Sequence, residues 1–402
     1  MNLSYDSSVA FPVGFSASGA IAGIKANGLY DLGIIVSERT ATVGAVFTGN
    51  RFTAAPVVTN RQNLKKTGYK AKAVVANSGC ANALTGREGL KSAQKTIADV
   101  ARLLRVPKEQ VLVASTGVIG RQLPIAAIRQ TIPDLLAGLT RDPDNHFAQS
   151  IMTTDKFPKQ VAAEVSLSGK KKFRIGATAK GAGMIHPNMA TMLCFVTTDV
   201  AIPRKKLEAA TEYAVARSFN SITVDGDTST NDSVMVLANG ASGSEIKTGT
   251  DYRIFLDALT SVLGELAMMI VRDGEGATRF VTLNIESAAS REDAIKVGRA
   301  VGTSPLVKTA IFGGDPNWGR VVSAVGNSDA RFDPAKVELK IGGISVFRKN
   351  EPQKFDLRLL EEAFSKKEIE MTIRLNAGKE SARVFTCDLS YDYVKINGEY
   401  TT

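Results

Sequence analysis

Lys180-Gly181-Ala182-Gly183-Met184-Ile185-His186-Pro187-Asn188-Met189-Ala190-Thr191-Met192-Leu193-Cys194-Phe195-Val196-Thr197-Thr198-Asp199 has two halves of opposite character. The glycines, proline and asparagine of the first half predict a loop. The apolar, β-branched and aromatic run from Met192 to Val196 predicts a buried strand. The change falls at Ala190-Thr191, which puts a hydroxyl at the first residue of a strand, behind a small residue and a kinked loop. Such a hydroxyl can attack the Ala190 carbonyl, move the acyl group from N to O, and let water split the chain. The new N-terminal threonine then carries a hydroxyl and an α-amine of pKa about 8, which serves as its own base without a histidine. Threonine is equally an ordinary strand residue, and on these residues alone both readings stand.

The chain around this stretch has 402 residues, 44% hydrophobic and 22% charged, enough apolar material for two or three packed lobes. Its start lacks a basic region followed by an apolar run, and no run reads as long enough to cross a bilayer, so a cytoplasmic protein without a membrane segment is expected. The three cysteines, Cys80, Cys194 and Cys387, are far apart and odd in number, which argues for buried thiols rather than disulfides. With only His146 and His186, neither a zinc site nor a Ser-His-Asp triad is easily built. His146 reads as a solvated loop residue and His186 as structural. The net charge of +10 comes from dispersed lysines and arginines. Its one dense run, Lys170-Lys171-Lys172, reads as a solvated hairpin turn, so anionic metabolites are preferred to nucleic acid as partners.

Strand-like runs at Leu32 to Ser37 and Ala41 to Phe47 flank a charged Glu38-Arg39 turn. Ala73 to Ala76 is a strand ending in Asn77-Ser78-Gly79-Cys80, and a helix opens at Gly86. Val111 to Ala114 repeats the pattern, ending in Ser115-Thr116-Gly117 before a helix from Pro124 to Leu139 that is broken or kinked near Pro133. A hairpin, Val161 to Leu167 with Phe173 to Ala179, delivers the chain to Lys180. After the strand that follows Thr191, a helix from Arg204 to Arg217 leads to a strand beginning at Phe219, which runs into the polar loop Asp225 to Asp232. That loop lacks the terminal Glu of a calcium site. Thr250-Asp251 caps a long amphipathic helix ending at Asp273-Gly274-Glu275-Gly276, and Glu275 is either an exposed loop residue or held against a ligand. The C-terminal segment, Tyr393 to Thr402, reads as a docked strand.

The segment Lys180-Gly181-Ala182-Gly183-Met184-Ile185, with Pro187 and Met189-Ala190-Thr191-Met192-Leu193, resembles the self-cleavage site of ornithine acetyltransferases, the glutamate N-acetyltransferases of arginine biosynthesis. The resemblance extends from the Gly-Phe-Ser-Ala start to the Lys-Ile-Asn and Tyr-Thr-Thr end. It implies an α+β fold, an αββα sandwich of face-to-face sheets with helices outside. It also implies cleavage between Ala190 and Thr191 into interwoven chains 1–190 and 191–402, assembled as a heterotetramer. Thr191 would be the nucleophile and its own base, with Thr116 and Gly117 as the oxyanion hole. Thr154, Lys180, Thr191, Glu275, Asn397 and Thr402 would contact the substrates N-acetylornithine and glutamate, without metal or cofactor, and with acetyl-CoA as a further candidate donor. Two alternatives are a self-processing aminopeptidase of the same fold, against which a threonine at the cleavage point argues, and a basic non-catalytic binding protein.

Overall fold

The computed structural model describes residues 2–141, 145–186 and 192–399. Ala190, Thr191 and Thr402, and with them the Ala190/Thr191 junction, lie outside the described residues. The chain first forms β1 (Asn2–Ser4), β2 (Phe15–Ala20), β3 (Leu32–Phe47), α1 (Ala55–Thr67), β4 (Lys70–Asn77), α2 (Gly86–Leu104), β5 (Val111–Ser115), α3 (Ile125–Ala137) and α4 (His146–Ser150). Next come β6 (Lys159–Ser166), β7 (Lys172–Lys180), β8 (Leu193–Thr198), α5 (Arg204–Arg217), β9 (Ser233–Ala238) and α6 (Gly249–Arg272). The rest comprises β10 (Phe280–Ala288), α7 (Arg291–Thr303), α8 (Pro305–Gly313), α9 (Trp318–Gly326), β11 (Glu338–Ile341), β12 (Ile344–Arg348), β13 (Glu351–Pro352), α10 (Leu357–Ser365), β14 (Glu368–Arg374), β15 (Glu380–Cys387) and α11 (Tyr391–Glu399).

β3 doubles the first sheet back on itself. The strand order is β1-β6-β7-β8-β9-β3-β4-β5, with β2 paired to β3. Leu32 to Val36 pair with β2 and β4, Thr42 to Phe47 pair with β9, and the register against β4 slips between Val36 and Ala41. A slip of this kind increases local twist and re-aims a strand. Alternate side chains then sort into layers. Ile35, Val74 and Leu112 from one half meet Val43, Phe195 and Met235 from the other in a shared interior. Their neighbours Ile34, Val75 and Val113 face α2 and α3 through Ile97, Val100, Ile128 and Ile132. On the far side Cys194, Val196, Val234 and Val236 face α5 and α6 through Leu207, Ala214, Leu259 and Leu263. The order is helix, sheet, sheet, helix, the αββα sandwich that the resemblance implies. Gly44 shows how tightly α5 lies on β3: a Cβ there would be 2.5 Å from Thr211 Oγ1.

The second sheet, β13-β12-β11-β14-β10-β15, carries its own core. Leu283, Ile285 and Met371 from its strands pack on Val297 of α7, Ile311 of α8 and Phe364 of α10. Phe280 and Phe385, stacked with centroids 5.5 Å apart, belong to the core of the sandwich and join the two units.

Several local expectations change. Glu38-Arg39 is not a hairpin turn, because 32–47 is one 16-residue strand whose halves find partners in different layers. Phe219 to Val224 forms a short 3-10 turn and one isolated bridge, Ile222 to Phe385, while the strand of that region is β9. Pro133 stands on the exposed face of α3, where water can take the carbonyl it leaves unpaired, and the helix runs through it. Thr248, not Thr250, caps α6: its Oγ1 accepts from Asp251 N at 3.0 Å while the Asp251 carboxylate accepts from Thr248 N at 3.4 Å. α6 is itself long and apolar enough to cross a membrane, with 24 residues and a window of mean hydropathy 1.9, contrary to the sequence reading. Its Phe255, Leu259, Leu263 and Leu266 are packed under the sheet. His146 is half-buried and stacks on Tyr30 at 4.6 Å. The described part of the C-terminal segment, up to Glu399, is the helix α11 rather than a strand, which sets Tyr393 and Asn397 on one face at i and i+4. The β6–β7 hairpin, with Lys170 at φ 62 in its turn, and the three buried free cysteines are as expected.

Leu263 is fully buried between α6 and the sheet. Leu263→Ala is expected to lower unfolding free energy by roughly 2–5 kcal/mol in urea titration; a change under about 1 kcal/mol would show that α6 is not part of the cooperative core.

Candidate active site

The two strand-to-turn junctions, after β4 and after β5, are fastened side by side. Thr116 N donates to Asn77 O at 3.0 Å, Ser115 Oγ to Asn77 Oδ1 at 2.7 Å, and Asn77 Nδ2 to Cys80 O at 2.9 Å. Gly117 sits at φ +122, and a Cβ on it would lie 2.5 Å from the Gly79 carbonyl carbon, so glycine is required on two counts. These contacts hold Thr116 and Gly117 at the wall of a cavity of about 230 Å³.

Lys180, the last residue of β7, enters the same cavity and is only 2% exposed. Its Nζ donates to Thr153 Oγ1 at 2.8 Å and to Thr116 Oγ1 at 3.3 Å. Because the Thr116 oxygen accepts there, its own O–H is free to be turned toward a ligand. Burial pulls the Lys180 ammonium below its ordinary pKa, against the opposing charge of Asp155. Asp155 lies behind it, accepting from Lys159 Nζ at 2.6 Å, Gly181 N at 2.8 Å and Thr153 N at 3.0 Å. Lys159 is also bonded to Asp273 at 2.5 Å, and both ends of this triad are shielded from water. Burial by itself would raise Asp155, but Lys159, Lys180 and the hydrogen bonds bring its carboxyl down to about 2. Asp273 shares the same lysine, keeps one oxygen without a partner among the described residues, and is raised by burial.

The opposite wall is acidic. Glu275 is buried, not exposed: its N–H donates to Ala182 O at 2.9 Å and its Oε2 accepts from Asn397 Nδ2 at 2.9 Å. Gly183 faces this carboxylate so closely that a Cβ there would lie 2.2 Å from Glu275 Oε2. Asp225 accepts from Met184 N at 2.5 Å and Ile185 N at 2.9 Å, and burial pushes its carboxyl up to about 6 despite those bonds. Tyr393 of α11 faces the same cavity, its hydroxyl raised by burial and by the charges of Asp225 and Glu275.

Six of the residues singled out from the sequence, Thr116, Gly117, Thr154, Lys180, Glu275 and Asn397, line this one cavity although they come from distant parts of the chain. Thr191, Ala190 and Thr402 lie outside the described residues. Asp225, Asn231 and Tyr393 also line the cavity and were not singled out. The polar run Asp225 to Asp232 was the available signal, whereas nothing local distinguishes Tyr393. Among the described residues no group of three or more His, Cys, Asp or Glu side chains is arranged to hold a metal ion. A cavity with a lysine and hydroxyl donors on one wall and carboxylates on the other is matched to an α-amino acid, whose carboxylate and ammonium groups it can bind at opposite ends.

Asp155 supplies stability through a depressed carboxyl pKa, so that stability is fully present above the unfolded value of about 3.9 and is lost as pH falls through about 2. Asp155→Asn is expected to cost roughly 3–5 kcal/mol near neutral pH. In thermal melts the gap from the parent protein should narrow between about pH 4 and pH 2, and a gap independent of pH would show that Asp155 does not carry this charge.

A family model described as the ArgJ family matches residues 16–402. An arginine biosynthesis bifunctional protein ArgJ from Symbiobacterium thermophilum is 48% identical over 398 residues, 98% of each chain. Another of the same name, from Caldanaerobacter subterraneus, is 45% identical over 403 residues, 99% of each chain. A crystal structure of arginine biosynthesis bifunctional protein ArgJ from Bacillus halodurans is 38% identical with a TM-score of 0.50, covering 51% of this chain and 98% of that one. With the match running through nearly the whole sequence and through both walls of the cavity, the chain belongs to the ArgJ family.

Proposed function

We propose that this chain, an acetyltransferase of arginine biosynthesis by its family, moves the acetyl group of N2-acetyl-L-ornithine to L-glutamate through an acetyl ester on Thr191. The observation that carries this reading is the convergence of Thr116, Gly117, Lys180 and Glu275 on one amino-acid-sized cavity. Thr191 Oγ attacks the acetyl carbonyl and gives its proton to the Thr191 α-amine. The negative charge on the carbonyl oxygen is met by the Thr116 hydroxyl and the Gly117 N–H. The carbon–nitrogen bond breaks, the proton passes to the departing amine, and ornithine leaves. Glutamate's amine then attacks the ester and gives up a proton to the same α-amine, which passes it to Thr191 Oγ as the carbon–oxygen bond breaks.

Lys180 is suited to the substrate α-carboxylate, and Glu275 to the ornithine ammonium or to the amine of the nucleophile. Thr154, Asn397 and Thr402 complete the substrate contacts. The α-amine becomes available by cleavage between Ala190 and Thr191, giving chains 1–190 and 191–402 whose pairs associate as a heterotetramer. The Bacillus halodurans chain corresponds to 51% of this one, the length expected of a fragment from one side of that junction. Acetyl-CoA is a second donor for the same ester, since a thioester carbonyl presents the same electrophile.

Intact mass of fresh protein under denaturing conditions is expected to give two fragments meeting at Ala190/Thr191, and Thr191→Ala a single inactive chain. A full-length protein that still transfers acetyl groups would remove the α-amine from the mechanism. Thr116→Val is expected to lower kcat about 10²–10³-fold, and initial rates at several acceptor concentrations to give the parallel double-reciprocal lines of ping-pong exchange. Intersecting lines would favour a direct transfer.

A further inference from the structure

Asn231 and Asp232 are adjacent in the chain, are 5% and 0% exposed, and reach in different directions. The Asn231 side chain goes to the oxyanion side. Its Nδ2 donates to Ala81 O at 2.6 Å and to Ser115 O at 2.8 Å. Ser115 immediately precedes Thr116, and Ala81 follows Cys80, which bridges to Thr116 and Val118. Both acceptors are carbonyl oxygens, so the hydrogen-bond network fixes which end of the amide faces them. The Asp232 side chain goes to the other side, where its Oδ1 accepts from Met192 N at 2.9 Å. Ser233 N donates to Met192 O at 3.1 Å, so the residue that follows Thr191 is gripped at both its N–H and its carbonyl.

We propose that Asn231 and Asp232 are positioning residues that work as one clamp, fixing the spacing between the oxyanion hole at Thr116-Gly117 and the strand that begins after Thr191. The clamp rests on the reading of Thr191 as nucleophile. Attack on a carbonyl requires the hydroxyl and the oxyanion donors at a set separation, and an error of about 1 Å costs on the order of 100-fold in rate. Burial holds the Asp232 carboxyl well above its ordinary pKa, against the Met192 N–H, Lys180 and Ser229. An asparagine carboxamide of the same shape keeps an oxygen that can accept from Met192 N, which makes asparagine the near replacement for Asp232.

The test compares isosteric variants. Asn231→Asp turns a carboxylate toward two carbonyl oxygens and is expected to lower kcat at least tenfold with KM within twofold. Asp232→Ala is expected to lower kcat similarly, and Asp232→Asn to recover most of that loss. Self-cleavage, followed by intact mass, should slow in the same order. The clamp is overturned if Asn231→Asp turns over at the parent rate, if Asp232→Asn is as impaired as Asp232→Ala, or if the variants lose only thermal stability while their folded fraction keeps the parent kcat. Should Asp232→Ala not fold, the two isosteric variants decide. Thr191→Ala is run alongside. Activity in that variant would sink the nucleophile reading itself, whereas an inactive Thr191→Ala with a normal Asn231→Asp sinks the clamp alone.

Discussion

A buried ammonium is the constraint to which the rest of the cavity answers. Lys180 has lost nearly all contact with solvent at the end of β7, and an ion in that position carries a desolvation penalty of several kcal/mol unless charge and hydrogen bonds surround it. The compensation comes from elements that sequence alone keeps apart, Thr153 and Asp155 before β6 and Thr116 after β5, and the N–H of the adjacent Gly181 shares the Asp155 carboxylate. Lys159 ties that carboxylate to Asp273 at the end of α6. Glu275 lies two residues further along the same turn, so the loop that completes the buried triad also delivers the acidic wall of the cavity.

The sheet order bears on what a cut between Ala190 and Thr191 would do. β8 and β9 lie between β7 on one side and β3 on the other, so strands from 191–402 are inserted between strands from 1–190. Each is buried on both faces, β8 and β9 together contributing to the interior between the sheets and to the layer beneath α5 and α6. Two chains joined in this way share backbone ladders and core, and separating them would expose all of it. One broken peptide bond is small against that burial, because each fully buried Val, Leu or Phe contributes about 1.5–3 kcal/mol.

Much of the fold was legible where one physical signal dominated. The β6–β7 hairpin and α5 follow from period and turn chemistry, and their ends fall within a few residues of those read from sequence. Failures came where tertiary partners decide. Glu38-Arg39 has the charge of a turn, yet β3 passes through it because partners wait in two layers. Tyr393 to Glu399 has the apolar content of a strand, yet forms a helix whose Asn397 finds Glu275. Of the candidate cavity, the Thr-Gly, Lys-Gly and Gly-Glu-Gly segments were marked out by the family resemblance, and they line one cavity. Asp225, Asn231 and Asp232 escaped because their importance lies in which distant amides and carbonyls they reach, and a polar run does not announce its partners.

In the proposed exchange one cavity has to accept a cationic side chain and then an anionic one. Its acidic wall is not fixed in charge. Asp225 has a carboxyl pushed up to about 6 by burial, and burial together with the charges of Asp225 and Glu275 raises the Tyr393 hydroxyl above its ordinary pKa, so that it stays protonated. Ionised, the wall suits ornithine's ammonium. The Tyr393 O–H, and an Asp225 that has taken up a proton, offer donors to glutamate's side-chain carboxylate at modest cost because neither is far from the required state at neutral pH. In the proposed exchange Lys180 needs no such latitude, because both amino acids would present it with the same α-carboxylate. The exchange so proposed sets Lys180 against the group the two substrates share, and Asp225 and Tyr393 against the groups in which they differ.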